Sequence, residues 1–194
     1  MATPDITWNA VSLLRAMKSI LEDKANLLTS DYSRDMWLAG DVELVTPRSV
    51  WIGESVPNDY DTPGIGIYSE GSTNVSESSA IIEVDRNIVL TLVLADGCVD
   101  GTEGVTDVED MHEVALAYMY VAQATLQKYL DPQWAQTNAD PYSTADWVLM
   151  TRISQDEPQV LARDTRFGDG EWRRMFRSTM RVLHWQKSYV TEAA

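Results

Sequence analysis

Residues 87–95 read NIVLTLVLA, and this short run decides how the chain is expected to fold. Apolar side chains occupy both sets of alternating positions, whereas a strand with one wet face alternates apolar and polar residues. We therefore predict a central strand that is covered on both sides. Residues 81–84 (IIEV) form a second strand-like run just before it.

The longest strand-like run lies near the C-terminus, at residues 172–189. Within it Arg177, Thr179 and Arg181 alternate with apolar or small residues, which is the period of two typical of a strand. Shorter strand-like runs occupy residues 41–46, 49–53, 64–68, 146–154 and 159–164.

Two stretches have helical periodicity, residues 5–28 and residues 107–130. Between residues 114 and 122 the second is apolar nearly all round, so it must be covered on more than one side, either by the chain's own insertions or by a neighbouring subunit. Tyr118 and Tyr120 in this segment are therefore interface candidates.

Together these elements predict a single α+β domain over residues 1–194. Its mostly antiparallel sheet packs against an N-terminal helix and a central helix, with long loop insertions at 69–79, 95–107 and 131–145. The first insertion, SEGSTNVSESS, is serine-rich and is predicted to be a hairpin tip or projecting loop.

Composition excludes several classes of protein. A net charge of −15 argues against a nucleic-acid binder, because phosphate contacts need clustered cations. Residues 1–162 carry 26 acids and 8 bases, against 4 acids and 7 bases in residues 163–194. There is no secretory signal and no apolar run long enough to span a bilayer, so we expect no membrane association and folding in the cytoplasm.

The feature that most resembles a metal-binding site is the acidic stretch 95–113, ADGCVDGTEGVTDVEDMHE. Asp96, Asp100 and Asp107 match ligand positions of an EF-hand loop. Position 3 of the loop, however, is Cys98, which is a poor calcium ligand, and a strand precedes the loop where an EF-hand has a helix. We therefore treat these three only as weak metal candidates. Thr106 and Glu109 instead form a capping-box pattern that opens the central helix. Asp96, Asp100 and Glu103 remain interface candidates for a basic partner.

No catalytic signature is present. His112-Glu113 lacks the second histidine of a zinc-protease motif, and His184 lies far away in the sequence. We expect no enzymatic activity and no cofactor. A divalent-cation- or ligand-binding α+β protein that uses the 96–110 loop, and a hydrolase with an unrecognised site, remain as alternatives.

The order of elements resembles the tail-terminator and tail-completion (neck) proteins of long-tailed bacteriophages. The resemblance rests on an amphipathic helix, a proline-rich extended segment, an apolar strand, an alanine-rich helix and a basic, aromatic last strand. Here these are WNAVSLLRAMKSILEDKANLL (8–28), SVWIGESVPNDYDTPGIGIYSE (49–70), RNIVLTLVLADG (86–97), EDMHEVALAYMYVAQATLQKYL (109–130) and WRRMFRSTMRVLHWQKSYV (172–190).

The resemblance implies a structural virion protein whose subunits form a hexameric ring. Such a ring caps the head-proximal end of the tail tube, so its partners are further copies of the chain, the tail-tube protein and a neck or head-completion protein. Another head–tail connector position is the alternative. Arg173, Arg174, Arg177 and Arg181 are candidates for contact with an acidic neighbour; the competing interpretation is an exposed edge strand kept soluble by charge.

Overall fold

The computed structural model describes residues 9–23, 47–77, 81–95, 108–131, 148–153, 159–166 and 172–187. These ranges contain two helices and six strands. In chain order they are α1 (Ala10–Glu22), β1 (Ser49–Ile52), β2 (Gly64–Glu77), β3 (Ile81–Ala95), α2 (Val108–Tyr129), β4 (Val148–Ile153), β5 (Gln159–Arg166) and β6 (Trp172–Lys187).

The strands form one sheet in the order β1-β2-β3-β6-β4, with β5 also paired to β6. Only β1 and β2 are parallel; every other described pair is antiparallel. β4 lies beside residues 180–184 of β6 and β5 beside residues 172–177, so both lie along one side of it. The predicted single α+β domain with a mostly antiparallel sheet and two helices is confirmed.

The hydrophobic core lies between the two helices and one face of the sheet, which we call the helix face. Alternate residues of β3 (Ile88, Leu90, Leu92 and Leu94) lie on this face and are at most 1% exposed. α1 packs there because its apolar positions recur at helical spacing, and its first turn is capped by Asn9, whose Oδ1 accepts from the Ser12 amide at 3.0 Å.

The opposite face, the outer face, is also covered where β3 meets β1 and β2. Val89, Thr91 and Val93 are at most 2% exposed, so the predicted central strand with two covered faces is confirmed. Part of the cover is the Trp51 ring, which lies directly on Gly66 and Gly64 of β2. A Cβ atom at Gly66 would lie 2.7 Å from this ring, so only glycine fits there without a shift.

Residues 69–79 were predicted to be a hairpin tip or projecting loop, and for residues 69–77 the loop is wrong: they belong to β2, which runs to Glu77 and forms one arm of a hairpin with β3, while residues 78–79 lie outside the described residues. Thr73 pairs with Asp85 and Ser76 with Glu83 of β3. Main-chain pairing stabilises this polar segment as a strand although its serines and glycine give no side-chain signal for one. Residues 81–95 likewise form one strand rather than two runs.

The N-terminal helix, predicted over residues 5–28, is shorter: it begins at Ala10 after the N-cap Asn9 and ends at Glu22 before the C-cap Asp23. The central helix runs from Val108 to Tyr129, close to its predicted bounds of 107–130. The strand predicted at 41–46, residues 96–107 and 132–145 of the predicted insertions, and the capping pattern at Thr106 lie outside the described residues.

Candidate interface on the outer sheet face

One part of the sheet has a buried helix face and an accessible outer face. Cross-strand pairing aligns Thr73 (β2), Asp85 (β3), Leu183 (β6) and Met150 (β4) in one row across the sheet. We call the surface around this row the distal outer face; it consists of Thr73, Val75, Asp85, Met150, Arg152, Arg181 and Leu183. On the helix face of the same region, Val84, Val182 and His184 are at most 2% exposed.

The distal outer face carries an ion pair between neighbouring strands. Arg181 of β6 donates from Nε to Oδ1 of Asp85 at 3.3 Å and from Nη2 to Oδ2 of the same carboxylate. The register explains the contact, since Arg181 pairs with Asn87 and Asp85 lies two residues further along the same face of β3. The two charges therefore neutralise each other on this surface.

A second ion pair lies next to it along the outer face. Arg177 donates from Nη2 to Oε1 of Glu70, across the intervening strand β3. This hydrogen bond raises the pKa of Arg177 above its ordinary value. Glu70 sits at an irregularity between Ser69 and Gly71, where a β-bulge leaves an extra residue in β2. Exposed pairs of this kind contribute about 0–1 kcal/mol, so their main consequence is the charge pattern.

A shallow groove of about 160 Å³ runs over the distal outer face. It is lined by Val75, Asp85, Met150, Arg152, Arg181 and Leu183. Two of its apolar side chains are unusually accessible, Val75 at 57% and Met150 at 37%. Arg152 contacts Met150, its Nε lying 3.0 Å from the thioether sulfur, and no carboxylate among the described residues pairs with it.

Glu83 adds a fixed negative charge beside this groove. Its carboxylate accepts hydrogen bonds from Ser76 Oγ at 2.7 Å and from Trp185 Nε1 at 3.3 Å. These two hydrogen bonds lower the pKa of Glu83 below its ordinary value, and the one from Ser76 has the larger effect. Glu83 therefore stays ionised at neutral pH, and three strands of the sheet contribute to holding it in place.

The helix face of the same region contains a polar cluster of half-buried side chains around the buried His184. Arg86 donates from Nε to His184 Nε2 at 3.2 Å, and its two terminal nitrogens donate to Ser69 Oγ and Gln186 Oε1. Burial, opposed by the hydrogen bond to the Trp185 carbonyl and assisted by the nearby positive charge of Arg86, lowers the pKa of His184 to about 4. The ring is neutral at pH 7, with Nε2 as acceptor and its Nδ1–H directed at the Trp185 carbonyl. Burial also lowers the pKa of Arg86.

The four predicted interface arginines occupy different environments in β6. Arg177 and Arg181 pair with acids of the same sheet, as described above. Arg173 lies over the Tyr60 ring at 4.8 Å from its centroid, and Arg174 is half-buried opposite Leu94. Because β6 lies between β3 and the two strands β4 and β5, the edge-strand interpretation of these arginines is wrong.

The segment of α2 that is apolar on nearly all sides, within residues 114–122, is covered by other parts of the same chain. Tyr118 and Val121 are 3% and 4% exposed, so Tyr118 offers almost no surface to a partner, while Tyr120 is half-buried. Gln123 on the same helix donates from Nε2 to Ser178 Oγ at 2.5 Å, which ties α2 to β6. The alternative in which a neighbouring subunit must cover this helix is therefore not needed.

Asp96, Asp100, Glu103 and Asp107, the candidates from the acidic stretch, lie outside the described residues. Within the described ranges no group of three or more His, Cys, Asp or Glu side chains has a metal-binding arrangement. None of the helices in those ranges is both long enough and apolar enough to cross a membrane.

Of the residues that form the distal outer face, sequence reasoning singled out Arg181 and missed the others: Thr73, Val75, Asp85, Met150, Arg152 and Leu183. The available signal was the alternation along β3 and β6, which places Asp85 and Arg181 on the same face once the register is known. In comparisons with known proteins, no protein-family model and no curated protein matched the chain.

Proposed function

We propose that the chain is a structural virion protein, a subunit of a ring that caps the head-proximal end of a phage tail tube and joins it to the neck. The observation that carries this proposal is the asymmetry of the sheet. Two helices and a hydrophobic core occupy its helix face, while the distal outer face combines exposed apolar side chains with fixed charges.

The size of the groove favours a protein partner. Pockets for small molecules usually enclose about 300–1,000 Å³ and surround most of the ligand. The groove has a volume of about 160 Å³, which is below this range. Its lining combines the apolar side chains of Val75, Met150 and Leu183 with the Arg181–Asp85 ion pair. A surface with apolar anchors surrounded by charged groups is typical of contacts between proteins.

The charge distribution supports the same proposal. The chain carries a net charge of −15, yet its last 32 residues (163–194) contain 7 bases and 4 acids. Identical subunits with such a segregation attract one another when the basic part of one meets the acidic part of the next. The α+β order of elements is also the one that the resemblance to tail-terminator proteins implies.

Tail-tube growth in vitro tests the proposal. The tail-tube protein encoded in the same genome is allowed to polymerise with and without the purified chain, and tube lengths are measured by negative-stain electron microscopy. We expect the chain to stop elongation, so that tubes become shorter as its concentration rises. Unchanged tube lengths at a molar excess of the chain, or a genome without a tail-tube gene, would contradict the proposal.

A matched pair of variants shows whether the distal outer face matters in this assay. Arg152→Glu reverses the exposed cation of the groove, whereas Arg15→Glu makes the same charge change on the exposed side of α1. We expect Arg152→Glu to need a several-fold higher concentration to stop growth, and Arg15→Glu to act like the unmodified chain. Equal activity of the two variants would remove the distal outer face from the proposal.

A further inference from the structure

At the distal end of the sheet no described strand lies beyond β2 on one side or beyond β4 on the other, and we call these two sides the open edges. β1 pairs with β2 only from Gly64 to Ile67, and a hydrogen bond from the Gly53 amide to the Ile67 carbonyl at 2.9 Å ends their contact. Beyond that point, no described strand lies beside β2 on the side away from β3. β4 is likewise the last described strand on the other side.

The two open edges lie at the same level of the sheet. Thr73 near the middle of the open part of β2 and Met150 of β4 belong to one cross-strand row, separated by Asp85 and Leu183. A strand edge presents main-chain N–H and C=O groups that can pair with another strand. The distal end of this sheet therefore has one such edge at β2 and another at β4.

The β2 edge has few of the features that normally prevent pairing. Residues 71–76 are all exposed, and β2 contains no lysine, arginine or proline. Irregularities at Glu70 and Val75 guard this edge in part, and they leave the segment between them regularly paired with β3. The segment is thus an exposed strand with no described strand on its second hydrogen-bonding side.

The charges of the two edges are complementary. Within the β2 edge (residues 71–77) the charged residue is Glu77, because Glu70 precedes this segment and already pairs with Arg177, and the charged residue of β4 is Arg152. The like charges of two Glu77 residues would oppose the pairing of two β2 edges, whereas the opposite charges of Glu77 and Arg152 favour pairing of β2 with β4. The occupant that fits these edges is therefore a second copy of the same chain.

We propose that the distal edge of β2 (residues 71–77) in one copy pairs with β4 (Val148–Ile153) of the next copy, so that the sheets of adjacent subunits join edge to edge. The contact uses two different surfaces of one chain, which is the heterologous type that generates rings when the rotation closes. It rests on the proposed ring function and names the contact that would hold the ring together.

Cysteine cross-linking between copies tests this contact. The only native cysteine is replaced (Cys98→Ser), and Thr73→Cys and Met150→Cys are introduced together or singly. In one copy the two positions are three strand spacings apart, about 14 Å, which is too far for an intramolecular disulfide. A disulfide between them must therefore join two copies, and a short bismaleimide extends the test to other registers between the edges.

The double variant is expected to give a ladder of cross-linked species at multiples of the 21.8 kDa chain. Each single variant, and a matched control that combines Thr73→Cys with Val11→Cys on the exposed side of α1, should give none. Dimers from Thr73→Cys alone would show that two β2 edges meet, and would overturn the inference. So would a double variant that gives no ladder.

Light scattering on the Cys98→Ser protein separates this inference from the proposed function. Oligomers without a ladder would leave the ring in place and remove the β2–β4 contact. A ladder from a protein that never stops tube growth would support the contact and remove the tail-tube function. A protein that stays monomeric, alone and with tail tubes, would overturn both.

Discussion

At the scale of single residues, the distal end of the sheet contains a buried histidine, His184, in contact with a half-buried arginine, Arg86. His184 is 0% exposed and Arg86 donates to its Nε2 atom, so the ring must stay neutral for this hydrogen bond to persist. A protonated ring would place two positive charges 3.2 Å apart in a region that water does not reach freely. Protonation of His184 is therefore expected to destabilise this end of the sheet.

This dependence predicts a loss of stability in acid. The pKa of His184 is about 4 in the folded chain, against an ordinary value near 6.5 when unfolded. Between these values the unfolded chain binds more protons, so stability is full above pH 6.5 and falls as the pH drops toward 4, by about 3 kcal/mol from this group. Urea unfolding of the chain and of His184→Gln at a series of pH values checks this.

The glutamine variant is the control, because it keeps a polar side chain at the site but does not titrate. We expect its free energy of unfolding to fall less between pH 6.5 and pH 4 than that of the unmodified chain. Parallel curves for the two proteins would show that His184 does not control acid stability.

At the scale of elements, the sheet depends on how β1 is placed beside β2. The two strands are parallel, and the indole of Trp51 extends from β1 onto the backbone of Gly66 and Gly64. Tyr60 packs against the same indole, with ring centroids 5.8 Å apart. The aromatic cover over this half of the outer face leaves only the distal half accessible.

Adding one methyl group under the indole is therefore expected to destabilise the fold. In Gly66→Ala the new Cβ would meet three indole atoms within 2.7–2.8 Å, so the ring or the strand must shift. Overpacking of this kind typically costs about 1–3 kcal/mol in the free energy of unfolding. Gly71→Ala, in the same strand, has no neighbouring atom within 4 Å of the new Cβ and is the matched control. Equal midpoints in thermal unfolding would contradict the placement of Trp51.

The elements also show what sequence patterns reveal and what they do not. β3 and β6 were predicted because burial imposes an apolar pattern on side chains: two-sided in β3, and alternating in β6 at Phe176, Met180 and Val182. Residues 69–77 were missed because a polar strand is stabilised by main-chain hydrogen bonds, which leave no trace in composition. Pairing partners such as Arg177 and Glu70 depend on strand register, which local sequence does not specify.

At the scale of the whole molecule, the two faces and the two edges of the sheet have different surroundings. The helix face holds the hydrophobic core, and Trp51 and Tyr60 cover part of the outer face. On the distal outer face Val75 and Met150 are exposed, and no described strand lies beyond β2 or β4 at this end of the sheet. A chain with one stable core and two complementary edges is suited to repeating contacts with its own copies.

The most direct test of the proposed ring is to image the chain on a tail tube. Purified chain is added to tubes of the tail-tube protein from the same genome, and the tube ends are averaged from electron micrographs. The proposal predicts a ring at one end only, six-fold in projection as the resemblance implies, and the need for a several-fold higher concentration of the Arg152→Glu variant to form it. Tube ends that look the same with and without the chain, or chain bound along the sides of the tube, would contradict it.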